Sequence, residues 1–246
     1  MKNLKIILLL SVISFSNLSA EDGASLDSSS KAITCGAEID YNSKYLWHGQ
    51  AYSDGPVLQP SVWTSYMDFT LTAWTNYEIQ ENLNETDVIL GYSRDIGKFS
   101  IEPSLSYYNY FHQTDTAPLL EFSAKITHPL CGKFSVYTLQ NFYFLSGDFG
   151  DSYFGGLGIN FESGTDSVKF NISPFASLGS KKYNRENFGH GRWAINMLSL
   201  DAAVECSLPG GWYVKPHYTF TTISNKALLE DNRNNSSAGI AIGREF

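Results

Sequence analysis

The stretch from Asp68 to Tyr77 shows a strict two-residue period, which constrains the fold more than any other feature of the sequence. One set of alternate positions is Phe69, Leu71, Ala73, Thr75 and Tyr77, and the set between them is Thr70, Thr72, Trp74 and Asn76. Successive side chains of an extended strand point to opposite faces. The stretch therefore predicts a strand with one apolar face and one polar or amphipathic face.

Segments with similar alternation recur to the end of the chain, and turn-forming residues separate them. Twelve strands are predicted: Ile33–Leu46, Val57–Tyr66, Asp68–Tyr77, Asp87–Arg94, Phe99–Phe111, Leu119–His128, Phe134–Leu145, Tyr153–Phe161, Val168–Leu178, Ala194–Cys206, Trp212–Thr222 and Ala238–Phe246. Their connections alternate between short turns, such as Ile96-Gly97 and Cys131-Gly132, and long polar loops, such as Trp47–Pro56, Gly179–Trp193 and Ile223–Ser237. Outer-membrane barrels have this arrangement, with short periplasmic turns and long extracellular loops.

Composition supports a wall that faces lipid. Charged residues are 17% of the sequence, whereas an average soluble protein has about 25%. Aromatic residues reach 15%, and no helix-length apolar run follows the N-terminal segment. We therefore predict an all-β fold, a single antiparallel transmembrane β-barrel of about 12 strands over residues 31–246, in the outer membrane.

The N-terminal residues have the layout of a secretory signal. A basic start is followed by an apolar run and by small residues before Ala20, which predicts a signal peptide over residues 1–20. A membrane anchor is the weaker alternative, because a spanning helix needs roughly 20 apolar residues and this run stops at Ser16. Residues 21–30 are small and polar, and they predict a flexible lead-in.

Net charge and cysteine number indicate which partners are disfavoured and whether the chain contains disulfides. The formal net charge is -8, which disfavours nucleic acid as a partner because phosphate binding needs a basic surface. Cys35, Cys131 and Cys206 are an odd set in an exported chain. They lie near the same predicted rim but on separate strands, which favours three free cysteines over a disulfide framework.

No residue pattern typical of a metal site or a catalytic site is present. The five histidines, at positions 48, 112, 128, 190 and 217, form no H-x-H or H-x-x-x-H pair, and no cysteine pair has zinc spacing. The sequence also lacks a G-x-S-x-G elbow. We predict no catalytic residue, no metal and no cofactor. Two alternatives stay open: an outer-membrane barrel enzyme and a soluble exported ligand-binding β-barrel.

Charged residues within the predicted strands keep to the polar phase. The candidate channel-lining residues are Glu102, Glu121, Lys125, Lys169, Asp201, Glu205, Lys215 and His217. Acidic side chains outnumber the lysines by one, which predicts at most a slight cation preference. Barrels of about 8 strands fill their interior and barrels of 16–18 strands leave an open channel. The sequence therefore predicts a narrow lumen for passive diffusion of small polar solutes.

Some positions leave the register open. Four prolines, Pro60, Pro103, Pro174 and Pro216, fall within predicted strands on the apolar phase, where a bulge can accommodate the missing N–H. Phe134–Leu145 has apolar residues in both phases, so its faces stay unassigned. Aromatic residues near strand ends are expected in the headgroup zone; they are Trp47, Tyr66, Tyr77, Tyr92, Tyr107 and Trp212.

The segment Tyr41–Tyr66 resembles the start of the TorF-like family of outer-membrane porins. In that family the first strand ends in Ser, an aromatic residue and Arg-Gly, and a short polar loop, Pro and a Gln in the second strand follow. The matching positions are Ser43, Tyr45, Gly49, Ser53, Asp54, Pro56 and Gln59, and His48 stands where the family usually has Arg. The resemblance implies an outer-membrane barrel with a diffusion function and supplies no catalytic residue.

The last predicted strand ends in an aromatic residue, Phe246, with Ile240 and Ile242 in the same phase. A terminal aromatic of this kind resembles the signal that outer-membrane barrels present to their assembly machinery. The expected partners are therefore outer-membrane lipid, the barrel-assembly machinery through Phe246, and small solutes.

Overall fold

The computed structural model describes residues 32–53, 55–79, 85–110, 118–144, 151–231 and 233–246. Its strands form one closed antiparallel barrel of 12 strands, which confirms the predicted fold. The predicted signal peptide, 1–20, and lead-in, 21–30, lie outside the described residues and stay predictions.

Each barrel strand pairs with its neighbours in sequence. The strands are β1 Ile33–Asn42, β2 Val57–Tyr66, β3 Phe69–Glu78, β4 Glu85–Tyr92, β5 Phe99–Asn109, β6 Leu119–Cys131, β7 Phe134–Phe144, β8 Ser152–Gly164, β9 Val168–Gly179, β10 Ala194–Ser207, β11 Trp212–Ile223 and β12 Asn234–Glu245. A short strand, Arg94–Ile96, continues the pairing of β4 with β5 beyond Ser93. The barrel closes where β12 pairs with β1, with Ile39 opposite Ile242.

Burial alternates along the strands with the predicted period. In β3, Leu71 and Tyr77 are exposed on the outside, whereas Thr72, Trp74 and Asn76 are buried on the inside. The outer face of the described strands is a nearly continuous apolar and aromatic surface, because alternate Leu, Ile, Val and Phe side chains repeat around the wall. Such a surface matches the hydrocarbon of a membrane rather than water.

The prolines point outward, and each interrupts the pairing with one neighbouring strand without a shift in register. Pro60 pairs with Ile39 of β1, but the β2–β3 pairing skips from Leu58 to Ser61. Pro174 pairs with Leu200 of β10, but the β8–β9 pairing skips from Phe175 to Ile172. The prolines Pro60 and Pro174 are therefore accommodated by a local loss of pairing and not by a bulge. The register instead shifts between Phe134 and Ser135 and between Ala176 and Leu178.

Among the described parts of the long loops, two contain regular structure. Loop 1, residues 43–56, holds a hairpin in which Leu46–Trp47 pairs with Gln50–Ala51. The connection between β9 and β10 contains helix α1, Lys181–Phe188, which begins at the Ser180 cap and ends at Gly189 with φ 75°. Within the described ranges, no helix has the length and apolar character needed to cross a membrane.

These loops correct two sequence predictions. The first strand was expected to reach Leu46, but β1 ends at Asn42 because the chain then turns into loop 1. Trp47 was expected in the headgroup zone, yet it is only 1% exposed and packs inside the barrel. Tyr66, Tyr77, Tyr107 and Trp212 are exposed on the outer face, as that expectation requires.

Candidate channel and its extracellular plug

The wall between β11 and β1 carries two ion pairs that face the lumen. Lys215 Nζ lies 3.0 Å from Glu38 Oε2, and the Tyr213 hydroxyl donates to the same oxygen at 2.7 Å. One step further toward the long loops, His217 Nε2 lies 2.9 Å from Asp40 Oδ1. These side chains are 18–22% exposed, so solvent reaches this part of the lumen.

The opposite wall carries a matching pair. Lys125 Nζ on β6 lies 3.2 Å from Glu102 Oε2 on β5, and the lysine side chain is 33% exposed. On β10, Asp201 accepts a hydrogen bond from the Thr219 hydroxyl at 2.6 Å. Lys169 and Glu205 lie opposite each other in the β9–β10 register, nearer the rim with the short turns.

A layer of carboxyl groups and tyrosines lies nearer the long loops. Glu85 and Asp87 on β4 and Glu121 on β6 are at most 1% exposed. The Tyr108 and Tyr143 side chains lie beside Glu121. Within the described residues, no salt bridge reaches these three carboxyl groups, and no group of side chains could hold a metal ion. The layer is therefore acidic and is not balanced by direct contact with a base.

Loop 1 folds into the extracellular end of the barrel, where its central side chains are buried. The His48 ring is stacked between Trp47 and Phe154 of β8, with ring centroids 3.9 and 3.7 Å away. Tyr183 of α1 packs against Phe154 at 5.1 Å, and its hydroxyl hydrogen-bonds with His48 Nδ1. All four side chains are at least nine-tenths buried. We call loop 1 in this position the plug.

Hydrogen bonds attach the plug to the barrel wall. The Gly49 carbonyl accepts from Asn235 at 2.8 Å and from Thr221 at 3.3 Å. The Tyr45 hydroxyl donates to Glu85 at 3.0 Å, which links the plug to the acidic layer. Gly49 has φ 87°, and a Cβ there would lie 2.6 Å from Ile223 Cδ1, so only glycine fits at the tip.

Burial changes the ionisation of plug side chains. Burial holds the pKa of the His48 imidazole well below its usual value, because removing a charge from water is costly. Burial likewise raises the pKa of the Tyr183 and Tyr52 hydroxyls. The ring at the centre of the plug is therefore neutral near pH 7.

The second loop that enters the lumen is the one that contains α1. The Asn184 side chain donates to the Gly179 and Arg192 carbonyls at 3.0 and 2.6 Å, and Asn196 donates to Asn184 at 2.6 Å. One face of this loop is buried and the other is exposed. Its buried residues, Tyr183 and Asn184, pack into the mouth, whereas Lys181 and Arg185 are exposed.

The candidate lining residues all lie on lumen-facing positions of their strands. The sequence treats them as one set, whereas the structure divides them between ion pairs and a buried layer. It brings together Glu102 and Lys125, whereas Lys215 and His217 pair with Glu38 and Asp40, which the sequence reasoning missed. Glu121 belongs to the closed layer under the plug. The other missed acids are Glu78, Glu85 and Asp87. Alternation alone could have found Glu38, Asp40 and Asp87, because they share the polar phase of predicted strands.

All three cysteines are free, as predicted. Cys35 and Cys131 are exposed, and the Cys35 thiol lies 3.4 Å from the Thr64 hydroxyl.

Solved structures share this architecture at low sequence identity. The KdgM porin in complex with disordered oligogalacturonate gives a TM-score of 0.55 at 12% identity, covering 87% of this chain and 99% of that chain. The NanC porin gives 0.53 at 11% identity, covering 86% and 98%. The COG4313 outer membrane channel from Pseudomonas putida F1 gives 0.53 at 11% identity, covering 92% and 100%.

The chain has the fold of porin-like outer-membrane barrels. No protein-family model matches the sequence, and no curated protein does. The apolar outer wall and this fold together assign the protein to the outer membrane, as predicted.

Proposed function

We propose that the protein is an outer-membrane channel for passive diffusion of small polar solutes, and that the plug closes its extracellular end. The observation that supports this most directly is the change in exposure along the lumen. Side chains at the Lys125, Lys215 and His217 pairs are solvent-accessible, whereas Glu85 and Glu121 under the plug are at most 1% exposed. These exposures support a lumen that is accessible from the periplasmic side and narrowed by the plug at the other end.

The lining charges favour neutral and positively charged solutes. Outside the buried carboxyl groups Glu78, Glu85, Asp87 and Glu121, acidic side chains on lumen-facing positions outnumber the lysines by two. The remaining acids are Glu38, Asp40, Glu102, Asp201 and Glu205, and the lysines are Lys125, Lys169 and Lys215. The buried carboxyl groups are not counted, because an ionised carboxylate that is buried without a basic partner is costly. A ring of one charge sign selects ions of the opposite sign. An acidic oligosaccharide such as the KdgM ligand does not suit this lumen.

Membership in the TorF-like family is part of the proposal. The residues that carry the resemblance have defined structural roles in and beside the plug. Ser53 accepts from the Tyr45 backbone N–H at 2.8 Å and donates to the Gly55 carbonyl at 2.7 Å. Gln59 donates to Asn76 at 3.0 Å on the wall below. Asp54 lies outside the described residues.

We further propose that the protein is not an enzyme and that Phe246 is read by the barrel-assembly machinery. The lumen carboxylates Glu38, Asp40 and Glu102 are engaged in ion pairs that line the wall, which is a use expected of a pore. Phe246 is 67% exposed where β12 closes the barrel against β1, and its N–H donates to the Cys35 carbonyl at 2.8 Å. An exposed terminal ring is accessible to a partner. Reaction with a covalent serine probe would contradict the non-enzyme proposal.

Single-channel recording in a planar bilayer tests the channel proposal. The wild-type protein is compared with a variant in which the hairpin from Leu46 to Ala51 is replaced by a Gly/Ser linker of equal length. We expect resolved conductance steps from both, with longer and larger openings from the hairpin variant. If neither protein gives steps although both show the heat-dependent gel migration of a folded barrel, the channel proposal is wrong.

A further inference from the structure

We propose that His48 makes the plug acid-sensitive, so that protonation of its ring releases loop 1 and opens the channel. Opening of the channel in acid rests on the proposed function. Release of the plug does not, because thiol labelling can detect it in a protein that conducts no ions. No sequence motif indicates this role, because it depends on elements that pack around His48 but are far from it in sequence.

The surroundings of the ring accommodate a neutral imidazole and not a cation. Trp47 and Phe154 cover both faces. Nδ1 contacts the Tyr183 hydroxyl, and Nε2 is buried with no hydrogen-bond partner among the described residues. Protonation makes both ring nitrogens donors. The Tyr183 hydroxyl could then no longer donate to Nδ1, and the charged Nε2–H would be buried without an acceptor.

Among the described residues, no carboxylate contacts the ring. Its own loop presents Trp47, β8 presents Phe154, and α1 presents the titratable Tyr183. Behind Tyr183 lies Tyr143, with ring centroids 5.9 Å apart, and then Glu121. On the far side of the loop, Tyr52 and Tyr45 pack together, and Tyr45 bonds to Glu85. Two acids are thus near, but each is separated from the imidazole by tyrosine rings.

The plug depends on this stack because its own secondary structure is minimal. The hairpin has two pairs, Leu46 with Ala51 and Trp47 with Gln50. His48 and Gly49 form the tip with φ 45° and 87°. An isolated hairpin is not stable in water, so the position of loop 1 is maintained by the ring stack and the wall hydrogen bonds. Loss of the stack at one end leaves the bonds to Gly49 and Tyr45 and, at the base of the loop, those between Lys44 and Ser237.

The size of the effect follows from one proton. When a histidine is neutral in the closed state and titrates normally in the open state, closure is fully favoured above the open-state pKa and weakens as pH falls below it. With an open-state pKa of about 6.5, the open-to-closed ratio rises at most tenfold per pH unit, or roughly 30-fold between pH 7.5 and pH 5.0.

Conductance and thiol labelling at pH 7.5 and pH 5.0 test the proposal together. Conductance compares the wild type with His48→Phe, which keeps an aromatic ring in the stack but cannot take a proton. His190→Gln, on an exposed loop, and His128→Gln, beside Phe99 and away from the lumen lining, are the histidine controls. For labelling, Ser53→Cys reports on the plug, since Ser53 is 2% exposed. The native cysteines are replaced by serine, and Lys181→Cys corrects for reagent reactivity.

We expect acid to raise open probability and corrected labelling by roughly 30-fold or less in the wild type and in both histidine controls, and to leave His48→Phe unchanged. Steps that are equal at both pH values, with constant labelling, would overturn the inference and leave the channel intact. Labelling that rises in acid without any conductance would support plug release and contradict the proposed function. A response that persists in His48→Phe would assign the sensor to another group and overturn the proposal.

Discussion

Leu105→Arg tests whether the outer wall faces lipid. Leu105 lies in the interior of β5, opposite Leu90 on β4 and Phe122 on β6, and it is 43% exposed on the outer face. An arginine facing the middle of a bilayer costs about 2–4 kcal/mol. We therefore expect the free energy of unfolding to fall by about that amount, because no carboxylate of the described outer wall lies beside this position.

The neighbouring residue supplies the control. Ser104 points into the lumen between Gly91 and Ser123, so Ser104→Arg places the same charge among water and acidic side chains. We expect Ser104→Arg to change the free energy of unfolding by no more than about 0.5 kcal/mol. The assay is denaturant unfolding of the barrel in lipid vesicles, followed by gel migration and tryptophan fluorescence. Equal losses in both variants, or the larger loss in Ser104→Arg, would refute the assignment of faces.

Three further predictions concern the plug, the lumen lining and the C-terminal strand. Gly49→Ala should increase channel openings in single-channel recording, because its Cβ would lie 2.6 Å from Ile223 Cδ1; unchanged openings would contradict the packing at the tip. Lys125→Met should raise cation selectivity by unbalancing Glu102, whereas a shift toward anions would contradict the lining. Phe246→Ala should lower the amount of folded barrel in cells while protein refolded in detergent stays stable, and equal cellular amounts would exclude a role in assembly.

The barrel was predictable because its strongest determinant is local. A two-residue period fixes which face each side chain takes, and Phe69 to Tyr77 shows that period clearly. The exception is β7, where Tyr137 and Leu139 face the lumen while Thr138 and Gln140 face outward. The Tyr137 hydroxyl bonds to Ser173 at 2.9 Å, and outside, Gln140 bonds to Thr138 and Tyr153. Such cross-strand partners are not apparent in the sequence of one segment.

The plug was not predictable for a different reason. Loop 1 has no periodicity, and its conformation is set by contacts with β8, α1, β11 and β12, which are far away in sequence. His48 and Tyr183 are separated by 135 positions. The acidic layer was partly missed because Glu85 precedes the predicted start of its strand at Asp87. The resemblance to the TorF-like pattern covers the segment that contains loop 1, but it gave no information on where that loop folds.

The reversal potential of open channels in a KCl gradient tests the central claim most directly. An apolar-walled barrel with an acidic lumen should pass K⁺ in preference to Cl⁻, and the joint variant Glu38→Gln with Asp40→Asn should reduce that preference. The hairpin replacement at Leu46 to Ala51 provides long openings for the measurement. Anion-selective steps, or a reversal potential that does not respond to these substitutions, would contradict the assignment of this lumen as the conducting path.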